Sequence, residues 1–230
     1  MAQNPEVFDP KYIALGKQAS RTNGAVTVGA PTKVYADIPQ SADAKVGEDR
    51  YFVGHIDQSG LTRTEGKETN AKRNWEGLQY YLVTNSETVQ LRLRLESYRN
   101  TVVQTLLHGL GVKISDDGKT MTTAVGGNTA PRVSWDFRLA GSDGVAGMLF
   151  APDAQVSTTS DIQYTSEDTV SVEVTLELFA DEDGKYLYES FTIQDEDGQW
   201  VLPEFKAVEP EEATPSGDSA PETEAEDVAA

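Results

Sequence analysis

The sequence predicts a mainly β protein, a sandwich or barrel with one short flanking α-helix. Three observations lead there. Several runs alternate apolar and polar residues, at the period of two that marks a half-buried strand. Asp-Gly pairs stand between such runs, at Asp117, Asp183 and Asp197, and that pair supplies the backbone angles of tight hairpin turns. A single stretch, just after Asn100, places apolar residues at helical spacing.

Taken in order, Asn4 to Gly16 is mixed and has room for one helical turn at Tyr12 to Leu15. Gly24 to Gly29 reads as a short strand bounded by glycines, and Val34 to Ile38 as another, with Ala30-Pro31 breaking the chain between them. Pro39 to Asp49 is small and polar, a loop, and Tyr51 to Ile56 is the next strand. Thr62 to Lys72 has no apolar residue larger than alanine, so it is expected to project as a β-arm or loop that a partner must order. Leu78 to Thr84 is a strand, with a tight turn at Asn85-Ser86.

Val89, Leu91, Leu93 and Leu95 then alternate with Gln90, Arg92, Arg94 and Glu96, so one face packs on a core and the other is polar. Asn100 is a helix cap, Val102, Val103, Leu106 and Leu107 form the buried stripe, and Gly109 ends the helix. Val112 to Ser115 and Lys119 to Ala124 flank Asp116-Asp117-Gly118 as a hairpin. Arg132 to Leu139 turns Val133, Trp135, Phe137 and Leu139 to one side.

Gly141 to Gly147 reads as a loop, with Met148-Leu149-Phe150 leading to Pro152 and short strands at Gln155 to Ser157 and Ile162 to Thr165. Val170 to Leu178 alternates, with Glu173 and Glu177 on its polar side, and Asp181 to Gly184 turns the chain into a strand at Tyr186 to Ile193. A last turn at Asp195 to Gly198 precedes Trp200-Val201-Leu202. The expected division is a body over 1–206, with 1–50 as N-terminal arm and first strands and 62–75 as the projecting loop. An acidic, disordered tail over 207–230 follows.

Composition narrows the function classes. The chain has 230 residues, no cysteine and a net charge of -19. Without cysteine there is no disulfide framework, thiolate metal site or cysteine nucleophile, which fits folding in a reducing cytosol. From Ala207 onward there are eight acidic residues and no basic one, which leaves -11 on the rest. A surface that grips nucleic acid needs the opposite balance. An acidic wall lets DNA slide past, and it also serves plain solubility. No apolar run reaches the roughly 20 residues of a membrane span, and the first residues have neither the basic nor the apolar region of a secretion signal.

No motif carries catalysis. The three Asp-Gly turns lack the alternating ligands and distant Glu of a calcium loop. His55 and His108 are the whole histidine inventory, too small for a triad or a zinc site, and His108 suits the end of a helix. Gly109-Leu110-Gly111 follows a helix, the wrong order for a dinucleotide loop. Trp75, Trp135 and Trp200 read as core or interface anchors before they read as stacking platforms. No cofactor or metal is implied.

Three pieces of the sequence together resemble the major tail tube proteins of long-tailed, non-contractile bacteriophages. Gly54-x-Ile56 to Ser59-Gly60-Leu61, an arm, and Asn74-Trp75-Glu76-Gly77 resemble that family's strand-turn element before a tryptophan-containing strand. Leu95 to Val103 resembles its passage from an alternating strand into a short helix, and Gly24 to Val28 its N-terminal strand. The likeness covers about Gly24 to Ile193.

It implies hexameric rings whose sheets join into one continuous inner β-barrel and stack into a virion tail, assembled in the host cytoplasm. The channel would hold the tape measure protein and later pass DNA, without membrane insertion by this chain. The partners would be further copies and the tail terminator and tail tip proteins. On that reading Thr62, Arg63, Glu65, Lys67, Glu68 and Lys72 make contacts between subunits or rings. Glu173, Glu177, Gln90 and Glu96 are candidates to line the channel, although Arg92 and Arg94 on the same face would hold phosphate. The family's C-terminal immunoglobulin-like domain, present in some relatives, has no counterpart in the acidic tail.

Two rivals stand beside it: a virion or cell-surface β-module that binds glycan or receptor through exposed aromatics, and an enzyme on a β scaffold. Removing Glu209 to Ala230 is expected to leave assembly intact, because a solvated acidic tail contributes no packing. Electron microscopy of the truncated protein checks this, and loss of assembly would contradict it.

Overall fold

The computed structural model describes residues 17–18, 26–42, 44, 49–140, 145–164 and 169–192, and the expected elements at Tyr12 to Leu15, Asp195 to Gly198, Trp200 to Leu202 and 207–230 lie outside them. The protein is mainly β with one short flanking helix, as the alternation requires. The strands are β1 (Lys17–Gln18), β2 (Val26–Gly29), β3 (Tyr51–Gly54), β4 (Ile56–Arg73), β5 (Gln79–Leu95), β6 (Val112–Ile114), β7 (Met121–Thr123), β8 (Arg132–Ala140), β9 (Val145–Thr159), β10 (Val172–Leu178) and β11 (Tyr188–Phe191). The helix, α1, is Thr101–His108.

The main sheet has the order β3-β2-β8-β9-β10-β5-β4, with β1 beside β8 and β11 beside β9, while β6 and β7 form a separate two-stranded ribbon. Its strand pairs are antiparallel. The two ends of that order are neighbours in the chain. Gly54 pairs with Val26 on one margin, and Ile56 pairs with Leu95 on the other. Only His55 separates them, so the sheet is rolled until its margins meet.

That corner is held by the segment between β5 and α1. Gly54 has φ +100°, and a Cβ there would stand 2.3 Å from Ser97 Oγ. The Ser97 hydroxyl accepts from the His55 amide at 3.0 Å, and the Glu96 amide donates to the His55 carbonyl at 3.0 Å. Asn100 works in two directions: its Oδ1 accepts from the Val102 amide at 2.9 Å to cap α1, and its Nδ2 donates to the Phe52 and Val53 carbonyls at 3.0 and 3.1 Å.

The rolled sheet encloses one core. Leu91, Leu93 and Leu95 of β5 meet Val172, Val174 and Leu176 of β10, with Trp135 and Phe137 of β8 stacked at 5.7 Å between ring centroids. Helix α1 adds Val103 and Leu106. Its buried Gln104 donates to the Tyr98 carbonyl at 2.8 Å and accepts from the Thr123 hydroxyl at 3.1 Å, which ties the helix to β7.

Near β8 the other face of the sheet is buried too, which alternation alone does not anticipate. Ser134, Asp136 and Arg138 are buried, Ser134 beside Ala30 and Arg50, and Asp136 and Arg138 beside the segment over residues 37–42. Arg138 clasps Asp136 through Nε and Nη2 at 2.8 and 2.7 Å and donates from Nη1 to the Ala42 carbonyl at 2.5 Å. Beside them Arg50 donates to the Thr27 and Ser134 side chains at 3.0 and 2.9 Å. Burial is the main force lowering the pKa of the Arg50 guanidinium from its usual value. Ile38, Ala42, Met148 and Phe150 form a second, small core there.

Several expected elements differ. Val34 to Ile38 is a 3₁₀ turn over Tyr35–Asp37 that carries Ile38 down onto the sheet. Asn85-Ser86 is no turn, because β5 runs unbroken and pairs with β4, with Glu68 opposite Ser86 and Thr69 opposite Thr84, so Asn85 is a bulge. The expected loop before Met148 is strand from Val145, and β9 continues through Pro152, where a register shift against β8 accommodates the imide. Ile162 to Tyr164 is irregular.

Gly54→Ala is expected to cost about 1–3 kcal/mol in backbone strain alone, plus the overlap with Ser97. Gly118→Ala, at φ +68° but with open space around its would-be Cβ, lacks the second cost. Urea unfolding should place the Gly54 variant clearly below the Gly118 variant, and equal midpoints would contradict the role of the corner.

Candidate assembly surface

Beyond the core, β4 and β5 continue together as a two-stranded ribbon. From Leu61 opposite Leu93 the pairing runs to Arg73 opposite Gln79, with shifts after Glu68 and Lys72. The expected loop over 62–75 is therefore strand as far as Arg73, and its partner is β5 of the same chain. From Thr62 to Arg73 β4 is exposed throughout, and its outer edge pairs with no other described strand. Isolated two-stranded ribbons are marginal in water, and open edges invite pairing.

The base of the ribbon is anchored. Asp57 accepts from the Ser59 amide at 2.8 Å in the bulge that precedes Leu61, and hydrogen bonds from Ser59, its side chain first, hold the Asp57 carboxyl below the usual range. Arg63 pairs with Glu65 at 2.9 Å and reaches Glu189 on β11. Tyr186 donates to the Glu87 carbonyl at 3.2 Å.

The turn at the far end is Asn74-Trp75-Glu76-Gly77. Asn74 Oδ1 accepts from the Glu76 and Leu78 amides at 3.1 and 2.8 Å, and Gly77 adopts φ +84°. Trp75 thus sits at a loop tip and not in a strand, fully exposed, with Leu78, Tyr80, Tyr81 and Leu82 exposed behind it. The inter-subunit candidates Thr62, Arg63, Glu65, Lys67, Glu68 and Lys72 all fall on β4. The apolar tip was not among them. A signal for it exists: Tyr80-Tyr81-Leu82-Val83 breaks the alternation, which puts apolar groups on both faces of a ribbon that has no core to cover either.

The channel candidates are brought together on the outward face of the sheet. Glu173 lies opposite Arg94, Thr175 opposite Arg92 and Glu177 opposite Gln90. Gln90 donates to Glu177 at 2.8 Å, and Arg94 donates to Ser171 at 2.7 Å. Thr62 and Thr64 continue the face from β4, opposite Arg92 and Gln90. Glu96 is exposed just past the end of β5, beside the corner. The face therefore carries both signs of charge, on strands two of which are buried on their other side.

Among the described residues, no cluster of His, Asp or Glu is placed to hold a metal ion. No described helix is long and apolar enough to cross a membrane. The Asp181 to Gly184 turn is structural: Asp181 accepts from the Asp183 and Lys185 amides at 3.0 and 2.8 Å and from the Tyr188 hydroxyl. Burial, then that hydrogen bond, pushes the Tyr188 phenol well above its usual range.

No protein-family model matches the chain, and no curated protein matches its sequence. Among solved structures it is similar to a chain of the extracellular contractile injection system PVC sheath-tube complex in the extended state, at 10% identity and TM-score 0.40, covering 73% of this chain and 88% of that one. It is similar to a chain of the anti-feeding prophage tube-terminating cap at 10% identity and TM-score 0.42, covering 73% and 89%. A chain of the native gene transfer agent virion follows at 12% identity and TM-score 0.30, covering 64% and 92%. At these scores the likeness decides neither fold nor function.

The contrast between Trp75 and the fully buried Trp135 is directly measurable. In the isolated subunit, acrylamide should quench a component of the tryptophan emission that disappears in Trp75→Phe. Unchanged quenching in that variant would mean that the tip is already covered.

Proposed function

We propose that this chain is a structural subunit of a phage tail tube, of the long-tailed non-contractile kind, and not an enzyme. The single observation that carries the reading is the β4–β5 ribbon, exposed on both faces and open along the outer edge of β4 and, over residues 79–89, along that of β5. A ribbon of this length gains stability only when other copies cover it and pair its edge. Hexameric rings, with sheets joined into one inner barrel, supply both. Thr62, Arg63, Glu65, Lys67, Glu68 and Lys72 then lie between subunits or rings.

The polar face of β5 and β10 suits a channel wall. Glu173, Glu177, Gln90 and Glu96 repel or release phosphate, and Arg92 and Arg94 sit beside Ser171 and the acidic residues, where phosphate meets mixed charge and not a basic track. Such a wall lets the tape measure protein and then DNA pass. The assembled tube would belong to the virion tail, meeting terminator and tip proteins at its ends. The acidic segment over 207–230 would remain outside the contacts.

A second reading, a glycan- or receptor-binding β-module, draws on the exposed Trp75, since aromatic faces stack on sugars. A glycan array separates the two: binding lost in Trp75→Ala, in a protein that stays monomeric, would favour it.

Replacing Lys67 to Glu87 with an Asn-Gly turn joining Gly66 to Thr88 is expected to leave a folded body and abolish tubes. The strand cores from Val89 onward are untouched by that excision. Thermal unfolding and electron microscopy check the two halves of the prediction, and normal tubes from the shortened chain would overturn the assigned role of the ribbon.

A further inference from the structure

An apolar groove of about 490 Å³ lies between α1 and the β2–β3 margin, walled by Val28, Tyr51, Val102, Leu106, Ile114 and Val133. Tyr51 and Ile114 on its rim are exposed. A soluble surface keeps such concave apolar area open when something apolar fills it. Among the described residues a projection of matching character is the ribbon tip, where Trp75 and Leu78 stand in water.

The tip cannot fill the groove of its own chain. Because neighbouring strands alternate in direction along β3-β2-β8-β9-β10-β5-β4, the two terminal strands run the same way where the rolled margins meet. The groove sits beside Tyr51 at the start of β3, and the tip follows Arg73 at the end of β4. From Leu61 to Arg73 alone the strand rises about 40 Å at about 3.3 Å per residue. Projection and groove therefore lie at opposite ends of one strand direction.

We propose that the Trp75 tip of one copy seats in the α1 groove of the next. The inference rests on the tube reading for its occupant and adds the two surfaces that meet. Charge supports a second copy as that occupant. Lys72 and Arg73 outnumber Glu76 at the tip, whereas the chain as a whole carries -19, and in the β6–β7 turn exposed Asp116 and Asp117 outnumber Lys119 just beyond Ile114 at the groove. The contact is heterologous, since the two patches differ, so it propagates in one direction and gives the stack a polarity.

The absence of cysteine makes the test clean. Thr105 is exposed on α1 and belongs to the groove wall, its hydroxyl bonded to the Thr101 carbonyl at 2.8 Å. One sample carries Glu76→Cys beside an intact Trp75, a second Thr105→Cys, and the reduced proteins are oxidised each alone and together as a mixture, with circular dichroism confirming that both are folded. The expected result is a covalent one-to-one dimer in the mixture, formed at least tenfold faster than disulfide in either sample alone. No excess in the mixture overturns the docking, and if micrographs of the same mixture show tubes, the tube reading survives that loss. Cross-linking by a protein that never forms tubes supports the docking and removes the tube.

Discussion

Everything in this fold depends on the corner at Gly54 and His55. A sheet of this size has two margins, and in this chain one residue carries the backbone from the first to the last. That passage needs a left-handed glycine, a hydroxyl placed under it by Ser97, and an amide from Asn100 that reaches back to β3. The same Asn100 starts the helix that closes the core. The geometry of the roll, the position of α1 and the direction in which β4 leaves the body are therefore one constraint and not three. Even the groove beside α1 is a by-product, since it is the space left between the helix and the margin that the corner fixes.

The core explains why the corner holds. Alternating leucines on β5 and valines on β10 pack against the stacked Trp135 and Phe137, and hydrophobic burial of that kind is the main stabilising term in any such domain. The polar residues between them cannot enter the core, so they form a continuous outer face. The functional reading uses that face, but its existence is a consequence of the pleat. What distinguishes this protein from an ordinary rolled sheet is that two of its strands outrun the core.

Much of this was legible in the residues. The period of two located β5, β8 and β10, and the Asn100 and Gly109 caps bracketed α1 within a residue, because local chemistry decides those features. Gly54 to Leu61 and Leu95 to Val103 are each distinctive in the sequence, but nothing there shows that they touch, since contact across the roll is tertiary. The Asn85-Ser86 turn failed because a long partner strand overrode a weak local signal and absorbed Asn85 as a bulge. The burial of Ser134, Asp136 and Arg138 was hidden for a similar reason: polar residues on one side of a strand read as solvent-facing until another segment is laid across them. The tip was hidden by its own composition, since a run of aromatic and aliphatic residues reads as core until the fold shows that no core lies there.

The clasp of Arg138 on Asp136 and on the carbonyl of Ala42 has one more consequence. Peeling the segment over residues 35–42 from the sheet would strip a guanidinium of a neutral partner while leaving it facing its carboxylate in a half-opened, poorly hydrated cleft. Intermediate degrees of detachment are thus the least favourable ones. The outer wall of the body should behave as a latch with two positions, shut or fully released.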